Sequence, residues 1–265
     1  MFRTALLFVA TAITFSCSTD NKSTLPAADT AQPFNVISPR QFGLDPAKVA
    51  QIRLAMQRAV DVGHISGALL WVGNRNGIGL LESVGTQTQD SRTPVTTDTI
   101  FRIYSMTKPI ISVAAMSLVE SRKLGLDEPV SDYLPSFLDL QVIDSATGDI
   151  LPVNNTMTIW HLLTHQSGKV QQPFAMNNPL DPLYRDSFPD VLTRPDPEAV
   201  DARFMETFNT ISTQELAARI GQLPVLFEPG TSWHYGHSTD VLGAVLEVAT
   251  GQTLDDLLED RIFGP

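Results

Sequence analysis

The stretch from Pro109 to Val119 constrains this chain most. Ile110, Ile111, Val113, Ala114, Ala115, Met116, Leu118 and Val119 leave almost no polar face, and a helix that is apolar nearly all round is buried on every side. Pro109 lacks an amide hydrogen and is tolerated only near a helix start, so the helix begins around Ser105 to Thr107. Such a helix needs other layers wrapped around it. The pattern predicts the central helix of the fold.

Those layers are affordable for a chain of 265 residues with 43% hydrophobic and 18% charged residues, which at a usual domain size of about 150 residues suits one large globular domain or two small ones. Eighteen Lys plus Arg against 29 Asp plus Glu give a net charge of -11. That charge repels phosphate backbones and anionic lipid surfaces, so a nucleic-acid partner is not expected. The single cysteine, Cys17, leaves no internal disulfide framework and no cysteine-rich zinc site.

Arg3 followed by the apolar run from Ala5 to Phe15 has the make-up of a secretory signal peptide over residues 1–17. The run is shorter than the roughly 20 apolar residues that span a bilayer. Thr14-Phe15-Ser16-Cys17 resembles a bacterial lipoprotein cleavage box, in which Cys17 becomes the lipidated first residue; the alternative is a Cys17 discarded with the leader. The expectation is export to the periplasm, free or anchored by lipid to the cell envelope. Residues 18–35 are rich in Ser, Thr, Asp, Ala and Pro without apolar periodicity, which predicts a flexible tether. A folded domain is expected over 36–265.

Within that domain Asp45-Pro46 supplies an N-cap and a first-turn proline for a helix carrying Val49, Ile52, Leu54, Ala55, Ala59 and Val60 up to Gly63. Ala68–Val72 and Ile78–Val84 flank the turn residues from Gly73 to Gly77, a hairpin signature. Residues 125–225 change to short helical pieces and many prolines, with a helix over Thr158–His165 ended by Gly168. Gln171–Pro197 is proline-rich and predicts a lid-like loop. Ser238 is a candidate N-cap for a last helix to Thr250, with Gly251 just beyond. The chain stops at an apolar corner, Arg261 to Pro265, after only two clear strands, which make a poor sheet alone. A C-terminally incomplete domain is therefore expected.

Chemistry concentrates at Ser105-Met106-Thr107-Lys108, the one Ser-x-x-Lys of the chain. At a helix start Ser105 and Lys108 share a face one turn apart. A cation in the first turn opposes the helix macrodipole, which suits a neutral amine base. Lys108 would take the proton of Ser105 Oγ, and backbone amides would stabilise an oxyanion. Trp233-His234-Tyr235-Gly236-His237-Ser238, between a Pro-Gly turn and a helix start, is the second candidate, with Tyr235 as a proton carrier; an aromatic packing corner is the alternative. His161 and His165 have i,i+4 spacing, but Leu162 stands where a zinc protease carries Glu, so no metal site is expected. Neither Gly-x-Ser-x-Gly nor a phosphate-binding glycine loop occurs.

Phe101 to Pro109, Leu162-Leu163-Thr164-His165-Gln166-Ser167-Gly168 and Tyr235-Gly236-His237-Ser238-Thr239-Asp240-Val241-Leu242-Gly243 resemble, in order, the class C β-lactamase superfamily. The nearest likeness is to its family VIII carboxylesterases, with D-alanyl-D-alanine carboxypeptidases as relatives. The resemblance implies Ser105 as nucleophile, Lys108 as its base and Tyr235 as partner from the second motif. It also implies an α/β (α+β) fold of β-lactamase/transpeptidase type, an antiparallel sheet with flanking helices plus a helical region, the cleft lying between. Two departures stand out. His237 occupies the place usually held by Asn in Tyr-x-Asn, making it a substrate-binding candidate that leans toward esters, and no Lys-Thr-Gly-like third motif occurs before Pro265.

The resulting expectation is a serine hydrolase that cleaves carboxylic esters through an acyl-enzyme on Ser105, without cofactor or metal. The partner is a small-molecule ester or β-lactam-like substrate, and the sequence fixes no oligomeric state. A β-lactamase or D,D-peptidase and a non-catalytic binding relative are the alternatives.

Overall fold

The computed structural model describes residues 35–170, 179–187 and 211–264. The expected leader, Cys17, the tether as far as residue 34 and most of the expected lid over 171–197 lie outside them. The chain divides into two compact units, one ending at Arg102 and one starting at Ile103.

The first unit contains α1 (Pro39–Phe42), α2 (Pro46–Asp61), β1 (Gly67–Asn74) and β2 (Gly77–Gly85). Asp45 caps α2, its Oδ1 accepting the Ala47 amide at 2.8 Å. The hairpin forms where expected, antiparallel with Gly67 opposite Gly85 and a register shift at Val72/Gly73. Its turn is held by Asn74 Oδ1, which accepts the Asn76 amide at 2.8 Å. A Cβ on Gly79 would run into the Phe42 ring, so glycine there lets α1 lie directly on β2. Arg53 of α2 pairs with Glu82 of β2. Of the apolar residues counted for α2, only Val49 is buried, while Leu54 is 67% exposed.

The second unit is helical around α3 (Thr107–Glu120), α4 (Ile159–Leu163), α5 (Asp181–Ser187), α6 (Thr213–Gly221), α7 (Ser238–Thr250) and α8 (Leu254–Leu258). A small antiparallel pair, β3 (Gln141–Ile143) with β4 (Ile150–Pro152), is added to it. This pair was not visible in the sequence, because three-residue strands carry almost no periodicity. A π-helical turn, Glu259–Phe263, follows α8. The mixture of helices with small antiparallel sheets is the α+β class expected. No described helix is long and apolar enough to cross a membrane.

The central helix is α7 and not α3. Val241, Leu242, Gly243, Ala244, Val245 and Leu246 are all buried, and α3, α4, α6 and α8 pack around them. In α3 only the stripe Ile111, Ala114, Ala115 and Leu118 is buried, while Val113 and Met116 are exposed. The i, i+3, i+4, i+7 spacing of the buried set marks one helical face. Small residues set the difference, since Gly243 and Ala244 let neighbours approach α7 closely; a Cβ on Gly243 would meet Leu254 Cδ2 at 3.2 Å. The last helix keeps its expected span and its left-handed Gly251 (φ 69°), but its N-cap is His237, one residue earlier than expected. Ser238 is instead buried, its Oγ bonded to Ser167 Oγ at 2.8 Å. The helix expected over Thr158–His165 is five residues long, because His165 adopts φ 55°.

Candidate functional site

Ser105 sits in a single 3-10 turn, Tyr104–Met106, that runs directly into α3. Tyr104 before it has φ 45°, a left-handed conformation that costs a non-glycine residue about 1–3 kcal/mol. The Met106 amide closes the turn on the Ile103 carbonyl at 2.9 Å. Ser105 is exposed, and Lys108, one helical turn later, is half-buried.

Tyr235 is brought to this turn from 130 residues away. Its Oη lies 2.6 Å from Ser105 Oγ, and Lys108 Nζ lies 4.4 Å from the centre of its ring. Burial pushes the Tyr235 phenol up, but its contacts with Lys108 and Ser105 and the lysine's charge outweigh this, and the balance is downward. A phenol so placed exchanges its proton more readily than a free tyrosine. The three residues chosen on spacing and resemblance thus share one cluster.

The loop carrying Tyr235 is fixed by backbone bonds to residues 165–168. The His234 amide donates to the His165 carbonyl at 3.0 Å, Gly230 to Gln166 at 2.9 Å, and Leu226 to Gly168 at 2.8 Å. Its turn is anchored by Glu228, whose carboxylate accepts the Asn154 amide at 2.9 Å and the Asn155 amide at 3.1 Å. Next to Tyr235, a Cβ on Gly236 would collide with the Lys169 carbonyl oxygen, so only glycine lets the loop pass. Lys169 itself is fully buried. Its Nζ donates to the Ile220 carbonyl at 2.8 Å and reaches those of Gly221 and Leu223, tying the loop to the C-terminal end of α6.

His165 supplies the second wall. Its ring stacks on Tyr235, centroids 5.1 Å apart and planes 19° apart, with Trp233 edge-on at 6.2 Å. Burial and then the Lys108 charge pull the His165 imidazole below its ordinary value, while Asp240 opposes them. In the sequence His165 reads as half of a metal pair and as part of the Leu162–Gly168 stretch that resembles the superfamily, with no role of its own. Its companion His161 is turned to another task, accepting the Thr158 amide on Nδ1 at 3.1 Å. No group of three or more metal-ligating side chains occurs among the described residues.

His237 is 4% exposed and its Nδ1 lies 2.9 Å from Asp240 Oδ2, so that edge of the ring is engaged within α7's first turn. Asp240 had no expected role. A His-x-x-Asp spacing across a helix start is the signal that would have found it.

Residues 52–265 match the model of the Beta-lactamase family. The chain is 31% identical over 230 residues to the esterase EstB of Burkholderia gladioli, covering 86% of this chain and 53% of that one. With the lovastatin esterase of Penicillium rubens it shares 29% identity over 216 residues, covering 79% and 49%. Among solved structures, EstCE1, described as a hydrolase with promiscuous acyltransferase activity, superposes with a TM-score of 0.64 at 27% identity, covering 83% of this chain and 51% of that one. The chain spans about half the length of the curated relatives it matches.

Proposed function

The chain belongs to the β-lactamase family, and from that premise we propose that its protein is a serine hydrolase acting on small carboxylic esters. The observation that carries this reading is the 2.6 Å contact between Ser105 Oγ and the Tyr235 phenol, with Lys108 over the ring. The esterase names of EstB and the lovastatin esterase support the substrate class.

Lys108 acts as the base in its neutral amine form, and Tyr235 is the relay. Tyr235 Oη accepts the Ser105 proton as it passes its own to Lys108 Nζ. The freed Oγ bonds to the ester carbonyl carbon, and collapse of the tetrahedral intermediate breaks the bond to the alkoxy oxygen. That leaving oxygen takes its proton back along the same path, and the acyl group stays on Ser105. Water then adds to the acyl carbon, gives up a proton to the same pair, and releases the acid and free Ser105. The scheme draws on no cofactor.

His237, packed against Asp240, replaces the Asn of Tyr-x-Asn and favours esters over β-lactams in this reading. Acyl transfer to an alcohol in place of water is a second outcome of the same acyl-enzyme, favoured by the acyltransferase activity ascribed to EstCE1. Export, with lipidation at Cys17 as one form of it, is proposed on the strength of Arg3 and the apolar run behind it.

The test is hydrolysis of a p-nitrophenyl ester series. Ser105→Ala is expected to lower turnover at least about a thousandfold; full turnover by that variant would sink the reading.

A further inference from the structure

His165 carries two local costs that nothing in its own packing explains. Its backbone is left-handed, at φ 55°, a conformation a bulky residue adopts only when its surroundings impose it. Its Nδ1 is buried without a hydrogen-bond partner among the described residues, although buried polar nitrogens are almost always paired. Asparagine or glycine would satisfy the backbone more easily. Leucine would fill the space without a stranded nitrogen.

What the residue gains for these costs is its relation to Tyr235. The left-handed turn ends α4 and aims the ring so that it lies nearly parallel to the phenol. From the same residue the carbonyl receives the His234 amide at 3.0 Å, so backbone and side chain of one position grip both ends of the His234-Tyr235 step. Lys108 touches the Tyr235 ring and Ser105 its hydroxyl.

The geometry points to His165 as a positioning residue, whose stacked ring fixes the Tyr235 phenol between Ser105 Oγ and Lys108 Nζ. This inference rests on the reading of those three groups as the reacting set. The charged and titratable groups facing the His165 ring are Lys108, Asp240 and His234, with the Tyr235 phenol against its face. A flat uncharged ring holds the phenol there without adding a cation beside Lys108. An imidazole kept neutral by burial meets that need, as a phenyl ring would.

The test uses the full chain and two readouts. One is the rate of covalent labelling of Ser105 by a fluorophosphonate, followed by intact mass. The other is the ionisation of Tyr235, followed by ultraviolet difference absorbance against Tyr235→Phe. His165→Asn tolerates the left-handed backbone but removes the ring. It is expected to slow labelling at least about tenfold and to raise the Tyr235 titration midpoint. His165→Phe keeps the ring and is expected to label within about threefold of the unaltered chain, which also answers any failure of the Asn variant to fold. In a Tyr235→Phe background His165→Asn is expected to add less than about a twofold loss, because the hydroxyl it positions is already gone. Equal losses in both backgrounds, or an unshifted Tyr235 midpoint in His165→Asn, would overturn the inference. If the unaltered chain is not labelled at Ser105, it is the reading of the reacting set that fails, and the Tyr235 midpoint alone then decides the role of His165.

Discussion

Two serine–lysine neighbourhoods lie in the same unit and behave in opposite ways. Ser105 and Lys108 stand at the start of α3, the serine exposed and the lysine half-buried, with Tyr235 in contact with both. Ser167 and Lys169 are fully buried. Ser167 Oγ is bonded to Ser238 and to the Lys169 amide at 3.1 Å, and Lys169 Nζ is spent on the carbonyls that end α6. A lysine at a helix C-terminus completes carbonyls the helix leaves unpaired, whereas one at a helix N-terminus works against the dipole. The contrast teaches that the residue pair alone does not make a reactive site. Which helix end the lysine meets, and whether its donors are already used, separates the pair proposed to react from the pair that ties the loop to α6.

Exchanging the two lysines for methionine should therefore produce opposite phenotypes. Lys108→Met is expected to slow fluorophosphonate labelling of Ser105 by about a thousandfold while leaving the urea unfolding midpoint unchanged or slightly raised, since a cation leaves the positive end of α3. Lys169→Met is expected to lose about 2–5 kcal/mol of stability, because buried carbonyls are left without donors and the side chains no longer match in shape. Its folded fraction should still label. Loss of labelling without loss of stability at Lys169 would break the comparison.

Burial also gives Lys169 a pH signature. It pulls the ammonium from 10.5 down to about 7, so between those values the unfolded chain binds the proton that the folded chain releases. Stability contributed at this position is expected to rise with pH across that window and to be flat below it, where both states are charged. The difference in unfolding free energy between the unaltered chain and Lys169→Met, measured from about pH 6 to about pH 11, isolates it; a difference independent of pH would contradict the expectation.

Smaller effects sharpen the picture. Ser167→Ala is expected to cost about 1–2 kcal/mol through the half-paired Ser238 hydroxyl and to leave labelling unchanged. Asp45→Ala, in the other unit, is expected to cost about 1 kcal/mol by uncapping α2, again without effect on Ser105. Calorimetry beside the labelling assay reads both.

Much of this was legible in the sequence, and for a local reason. Pro109 fixes a helix start, Asp45-Pro46 another, and the turn residues around Asn74 a hairpin; each signal acts within a few residues of itself. Ser105, Lys108 and Tyr235 were legible because their spacing and order follow the superfamily. What was missed depends on contacts far apart in the chain. Both α3 and α7 are apolar, and only packing reveals that Gly243 and Ala244 place α7 at the centre. Lys169 looked like any other lysine until Ile220 and Leu223, some fifty residues on, supplied its acceptors. The spacing of His165 from His161 suggested a metal pair, whereas its ring stacks on Tyr235, 70 residues away, from a left-handed backbone that no local pattern signals.

The most direct measurement is intact mass of the full chain after brief fluorophosphonate exposure, with Ser105→Ala and Ser167→Ala beside it. A single adduct on the unaltered chain and on Ser167→Ala, absent from Ser105→Ala, is the expected result. No adduct at all, or one that survives Ser105→Ala, would contradict an activated serine at the head of α3.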